Sequence, residues 1–432
     1  MRVRVRPHSL LQGSVRVPAD KSLSHRALLL GGIAQGISVV RNWLPAADCQ
    51  ATLNAVRALG VKVEELSPTE LLIHGVGLGG LRPAATPIDC QGSGTTMRLL
   101  AGILAGQPFS STLDGHTGLR RRPMERVAIP LRQMGATVVT QDGRPPVTIT
   151  GGDLRGIEYE LPVASAQVKS AILLAGLYAK GSTTVHQPGP ARDHTERMLE
   201  AQGVRIESRQ NRIVLTPPTE PLSPCSLSIP ADFSSAAFPL VAALLTPHAS
   251  LVLEQVSVNP TRTGLLDVLG QMGAEVLRFN QSEQAGEPAA DLAVRPSGLR
   301  GTEIGGDVVV RMIDEFPILA VAASQAEGET LVRNAGELRV KESDRITAVA
   351  AELRRLGAAI EERPDGFVVH GPTRLRGAPV NSHGDHRLGM ALVVAGLVAE
   401  GETVIGEAEV IADSFPGFVD TMQRLGADLH EE

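Results

Sequence analysis

At 432 residues the chain is too long for one simple core, so two domains are expected. Hydrophobic residues make up 43%, charged residues 20%, and the net charge is −6, which argues for a globular protein and against broad nucleic-acid affinity. Aromatics are only 3%, so the core must be built from small aliphatic residues, and Cys49, Cys90 and Cys225 contain no CxxC pair for a thiolate zinc site or a disulfide framework.

Residues 1–6 alternate like a strand and lack the apolar core of a signal peptide. Apolar runs such as 171–179 and 388–399 fall short of a membrane span and read as buried helices. Six such runs open with polar or charged residues: Asp20-Lys21-Ser22, Ser93-Gly94-Thr95, Ser165-Ala166-Gln167, Asp232-Phe233-Ser234, Asp314-Glu315-Phe316 and Asp385-His386-Arg387. Amphipathic runs alternate with them and end in Gly60, Gly135, Gly203, Gly273, Gly357 and Gly426, at spacings of 75, 68, 70, 84 and 69. Glycine suits a left-handed helix end.

The repeat is therefore written as β-α-β-α-β-β, six times. A short strand (15–17, or 307–311) leads into each apolar helix. A second strand follows, such as 38–43 or 110–113, and then the amphipathic helix and two strands. The long spacing contains 281–298, read as a loop insertion. Three units should enclose three buried helices, giving an α/β, inside-out barrel in each of two domains. The domains are expected at 1–17 plus 233–432, with the N-terminal strand completing the last unit, and at 18–232, with a hinge near 18–20 and 230–233 and a ligand cleft between them.

Helix mouths carry unpaired N–H groups and a positive dipole end, so this design suits anions. Ser22 is a candidate cap and phosphate donor, with Arg26 one turn on and Lys21 at the entry; a plain capped helix is the alternative. Gly92-Ser93-Gly94-Thr95 resembles a phosphate loop without the Gly-Lys-Ser/Thr ending of nucleotide sites. Arg120-Arg121-Arg122-Pro123 concentrates cations, with proline suggesting that Arg122 sits at a helix mouth. Ser165 and Gln167 can bond a phosphate or a hydroxylated ring. Arg192 and Asp193 open the third amphipathic helix, and Asp193 reads equally as a cap. Asp314, Glu315 and Glu342 place carboxylates beside Lys341 and Arg345, a candidate acid–base set or a surface ion-pair cluster. His383 and His386 lack the further His/Cys grouping of a metal site, so none is expected.

The ordered set Asp20-Lys-Ser-Leu-Ser-His-Arg26, Gly92-Ser-Gly-Thr-Thr-Met-Arg98, Arg122-Pro-Met124, Ser165-Ala-Gln-Val-Lys169, Arg192-Asp-His-Thr-Glu196, Asp314-Glu315, Arg339-Val-Lys-Glu-Ser-Asp-Arg345, Asp385-His-Arg387 and Asp413-Ser-Phe-Pro-Gly417 resembles the 5-enolpyruvylshikimate-3-phosphate synthase family over nearly the whole chain. That resemblance implies two domains of three βαβαββ units. It implies a cofactor-free, cytoplasmic, monomeric enzyme of aromatic amino-acid biosynthesis, acting on phosphoenolpyruvate and shikimate 3-phosphate without nucleic acid or membrane. By motif match, Lys21, Ser22, Arg26, Ser165, Ala166, Gln167, Asp314 and Lys341 should hold shikimate 3-phosphate. Lys21, Gly94, Arg122, Gln167, Arg345 and Arg387 should hold phosphoenolpyruvate, and Asp314, Glu342 and Lys21 should be catalytic. Space at Gly94 implies inhibition by glyphosate. Two positions depart from the pattern. Gly92 stands where many relatives carry Asn, and Asp413 stands where some carry Lys and is left out of the site. The alternative is a UDP-N-acetylglucosamine enolpyruvyl transferase, which would offer a reactive loop cysteine; Cys90 precedes the Gly-rich loop instead.

Overall fold

A computed structural model describes residues 1–7 and 10–432. It contains fourteen α-helices: α1 Lys21–Ile33, α2 Ala47–Ala58, α3 Gly94–Ala105, α4 Thr117–Arg120, α5 Glu125–Met134, α6 Ala166–Gly176, α7 His194–Ala201, α8 Phe233–Leu245, α9 Gly264–Gln271, α10 Asp307–Arg311, α11 Phe316–Gln325, α12 Arg345–Arg355, α13 His386–Leu397 and α14 Phe418–Arg424. Six four-stranded sheets accompany them among the described residues, so the α/β class and the sixfold repeat hold.

Each sheet follows one plan. In the second, the short strand Ile88–Asp89 runs parallel to Ser110–Asp114. That strand pairs antiparallel with Arg144–Thr150, whose other edge takes Thr137–Gln141. Three sheets recruit a strand from far along the chain. Gln12–Val15 runs parallel to Ser250–Ser257, and Leu227–Ser228 runs parallel to Gln35–Arg41. Val3–Val5 lies between Thr403–Gly406 and Leu429–Glu431, antiparallel to both.

The described residues form two compact units. The terminal unit comprises Met1–Pro18, Pro230–Ser282 and Pro288–Glu432; the central unit comprises Ala19–Ile229 with Glu283–Glu287. In the terminal unit α8, α11 and α13 pack against one another, and their residues are buried nearly all round. Ala, Leu and Val dominate this core, with Phe238, Phe415 and Phe418 in edge-on ring contacts. In the central unit α3 packs against α1 and α6. A Cβ at Gly102 of α3 would lie 2.2 Å from the Ala171 carbonyl oxygen of α6, so only glycine permits that approach. All six glycines expected to end amphipathic helices adopt positive φ, between 89° and 114°.

Four local expectations need correction. Residues 307–311 form α10 rather than a strand: Gly306 (φ 68°) turns the chain, Asp307 favours a helix N-terminus, and local geometry overrides the β preference of three valines. Residues 281–298 are not a loop; Val276–Gln284 and Glu287–Val294 extend as paired strands around Ala285-Gly286, both at positive φ. Ser22 does not cap α1, because Asp20 reaches the cap position first and accepts from the Leu23 N–H at 2.9 Å. Pro123 lies before α5 rather than within its first turn; Met124 is the cap residue.

Candidate active site

In the central unit, the Asp20 cap places Lys21 and Ser22 at the mouth of α1. Lys21 Nζ lies 3.1 Å from Asp48 Oδ2. Arg26, one turn deeper, is buried. Its guanidinium donates to Thr195 Oγ1 (2.8 Å), Ser170 Oγ (2.9 Å) and the Ser22 carbonyl (3.0 Å). Ser170 and Thr195 are themselves 2.7 Å apart. All three acceptors are neutral, and burial lowers the Arg26 pKa to about 10 despite more distant carboxylates that oppose the shift. The cation still persists at neutral pH.

His25 is fully buried beside Thr52, 2.6 Å from its Oγ1, and burial lowers its pKa to about 3. It is therefore a neutral structural group. Thr52 continues to Thr96 (2.7 Å), which also reaches Ser93, the cap of α3.

Gly94 begins α3. A Cβ there would stand 3.1 Å from Arg98 Nη1 and 3.3 Å from Arg122 Nη1, so both guanidinium groups crowd this helix mouth. Ser165 caps α6 at long range (3.5 Å to the Val168 N–H), leaving Ala166 and Gln167 in its first turn. Gln167 donates to Thr95 Oγ1 at 2.9 Å and accepts from Arg98. Gly94, Arg122 and Gln167 thus meet around Arg98, a residue the motif contained but the sequence reading gave no role. Its position one turn beyond Gly94 was the available signal. Behind them Lys169 is buried against Glu196 (2.6 Å), Gln187 (3.1 Å) and the Ala191 carbonyl (3.2 Å). Asp193 makes no cap hydrogen bond and pairs with Arg197 at 2.8 Å.

The terminal unit gathers a different set. Asp344 caps α12 and starts the helix at Arg345. Arg345 is buried and contacts Asp385 (2.7 Å), Glu342 (2.9 Å) and Asp314 (3.3 Å). Burial alone would lower its pKa, but the three carboxylates reverse the effect and raise it. Burial likewise opposes ionisation of Asp385, yet Arg345 prevails and holds that carboxyl below its usual range. Asp385 also caps α13, accepting from the Arg387 N–H at 2.9 Å. Arg387 Nη2 lies 3.6 Å from Asp314 Oδ2. Asp314, Glu342, Arg345 and Arg387 therefore come together, joined by Asp385, which sequence reasoning placed only as a helix opening. Lys341 follows the 3₁₀ turn Gly336–Val340, immediately before Glu342. Glu315 turns away to Ser234 and is buried. His383 engages Glu352 at 2.8 Å.

Two clusters of cations, hydroxyls and carboxylates, each built on a buried arginine with half-buried groups around it, lie at helix mouths, which is the equipment for anion binding and proton transfer. The family described as EPSP synthase (3-phosphoshikimate 1-carboxyvinyltransferase) matches residues 5–422. A 3-phosphoshikimate 1-carboxyvinyltransferase of Desulforudis audaxviator is 51% identical over 427 residues, covering 98% of this chain and 99% of that protein. One from Chloroflexus aggregans is 53% identical over 424 residues, covering 97% and 98%. The solved EPSP synthase of Acinetobacter baumannii superposes with a TM-score of 0.90 at 43% identity over 100% of both chains. The enolpyruvyl transferase NikO of Streptomyces tendae, at 20% identity, a TM-score of 0.81 and coverage of 99% and 98%, shares the fold. Matched over nearly its whole length, the chain belongs to the EPSP synthase, or 3-phosphoshikimate 1-carboxyvinyltransferase, family.

Proposed function

We propose that this protein transfers the enolpyruvyl group of phosphoenolpyruvate to the 5-hydroxyl of shikimate 3-phosphate and releases phosphate, a step of aromatic amino-acid biosynthesis. The relatives' shared name supports the activity. One geometric observation carries the chemistry: Asp314 and Glu342 share the buried Arg345 guanidinium, so carboxylates stand among anion-binding cations. A plain anion binder gains nothing from them.

In this reading Lys21, Ser22, Arg26, Ser165, Ala166, Gln167, Asp314 and Lys341 hold shikimate 3-phosphate. Lys21, Gly94, Arg122, Gln167, Arg345 and Arg387 hold phosphoenolpyruvate. Asp314 takes the proton of the 5-hydroxyl as its oxygen attacks the enol carbon. Glu342 or Lys21 delivers a proton to the methylene carbon, giving a tetrahedral intermediate. Loss of phosphate and return of a methyl proton restore the double bond. Each charge-assisted hydrogen bond is worth about 1.5–3 kcal/mol and a helix mouth about 0.3–1, so the cations dominate binding. We expect a monomer in the cytoplasm with no cofactor. Among the described residues, no helix is long and apolar enough to cross a membrane.

The test is phosphate release by the metal-stripped chain from phosphoenolpyruvate with each acceptor. Release with shikimate 3-phosphate and none with UDP-N-acetylglucosamine supports the reading; the opposite pattern favours the other transferase. Glyphosate should inhibit at low phosphoenolpyruvate, and unchanged turnover under saturating glyphosate would refute that part.

A further inference from the structure

The parallel strands Ile88–Asp89 and Ser110–Asp114 end side by side, with Asp89 opposite Asp114. Their following loops lie outside the carboxyl ends of a parallel pair, where α/β folds commonly bind ligands. One loop leads to Gly94 and α3; the other leads through α4 to Arg122. Two hydrogen bonds stitch them together: the Cys90 N–H donates to the Asp114 carbonyl (2.7 Å), and the His116 N–H donates to the Gln91 carbonyl (2.9 Å).

The His116 side chain has two distinct jobs available. Its Nδ1 accepts from the Gly118 N–H (3.1 Å) and the Leu119 N–H (3.3 Å), capping the short α4. A nitrogen that accepts two N–H groups carries its lone pair outward, so the network assigns the ring proton to Nε2. The Nε2 edge of the ring lies against Gly92: a Cβ built there would be 2.6 Å from Nε2. The imidazole thus occupies the space a side chain at position 92 would need, at the start of the loop that leads to Gly94. Two residues along, Arg98 and Arg122 crowd the same turn at Gly94.

We propose that His116 is a phosphoenolpyruvate-binding residue whose Nε2–H donates to the phosphate group held over this turn, and that Gly92 is small to admit the imidazole. This rests on the assignment of Gly94 and Arg122 to phosphoenolpyruvate. Because Nδ1 is engaged by the Gly118 and Leu119 N–H groups, the ring is oriented with Nε2 as the donor before substrate arrives.

Two variants separate capping from donation. His116→Asn keeps a short side-chain acceptor for the α4 N–H groups but removes the Nε2–H. His116→Gln extends an amide N–H towards the Nε2 position. The wild type and both variants are assayed for the KM of each substrate and for Tm. His116→Asn should raise the KM for phosphoenolpyruvate roughly tenfold, the scale of one hydrogen bond to a charged group. The KM for shikimate 3-phosphate and the Tm should stay near wild type, and His116→Gln should recover most of the loss. An unchanged phosphoenolpyruvate KM in His116→Asn overturns the proposal. So does a parallel rise of both KM values with a fall in Tm in both variants, which marks a cap alone. Absence of turnover by the wild type with both substrates would instead sink the transferase reading itself, and this inference with it.

Discussion

Each unit buries an arginine at a helix mouth, and the two are held in opposite ways. Arg26 in the central unit donates to Thr195, Ser170 and the Ser22 carbonyl, all neutral oxygens. Arg345 in the terminal unit is surrounded by Asp385, Glu342 and Asp314. Burial lowers the pKa of the first, whereas carboxylates more than offset burial for the second. The difference has a functional meaning. A guanidinium satisfied by neutral groups retains its charge for an incoming phosphate or hydroxyl. A guanidinium sharing several carboxylates fixes those carboxylates in place for proton transfer. Burying an ion pair gains little stability by itself, so the carboxylates around Arg345 are better explained by chemistry than by folding.

The sharpest way to break this contrast is to remove a carboxylate from the terminal cluster. Asp314→Asn should lower kcat by roughly 100- to 10,000-fold, the range of a positioned acid or base, with folding retained. Steady-state phosphate release checks it. Asp385→Asn should act on stability as well, because it leaves Arg345 with an incomplete set of partners. A loss of about 3–5 kcal/mol in urea unfolding is the scale for breaking a buried pair. Its sign with pH follows from the depressed Asp385 pKa: the contribution is present above the ordinary carboxyl range and disappears as acid titrates the folded group.

Smaller effects belong to the central unit. Thr195→Val removes one acceptor from Arg26 and should cost about 1 kcal/mol, seen as a several-fold rise in the KM for shikimate 3-phosphate at nearly constant kcat. Thr195→Ser should restore it. His25 adds an acid-sensitive term. Its folded pKa of about 3 lies below the unfolded value near 6.5. The unfolded chain therefore binds more protons between those values, and stability falls as pH drops from 6.5 towards 3. Urea unfolding at pH 7 and pH 4.5 should show a shallower loss in His25→Gln than in wild type.

Much of the fold was legible because its signals are local and repeated. Apolar helices with almost no polar face announce burial, and glycine at each amphipathic helix end announces a left-handed turn. The misreadings have equally local causes. At 307–311 three valines suggested a strand, but the positive-φ Gly306 and the acidic Asp307 make a helix start. At 281–298 polar residues suggested a loop, yet they turn a hairpin whose first strand, Val276–Gln284, is almost wholly exposed and whose second, Glu287–Val294, is largely buried. Site legibility followed motif compactness. Arg26 and Ser22 are four residues apart and meet, as their spacing implied. Thr195 and Ser170 reach Arg26 from 169 and 144 residues away, and Asp385 reaches Arg345 across 40. Such partners depend on tertiary packing, which no local pattern encodes. Arg98 was within a recognised motif, but its hydrogen bond to Gln167 spans two helices and appears only once α3 meets α6.

The most direct test is a paired measurement on Arg26→Gln and Glu342→Gln, recording the Kd for shikimate 3-phosphate and kcat for both. The contrast predicts that Arg26→Gln loses affinity by roughly 10-fold or more while retaining most of its kcat, and that Glu342→Gln keeps affinity while losing turnover. Equal losses of binding and turnover in both variants, or full turnover in Glu342→Gln, would contradict it.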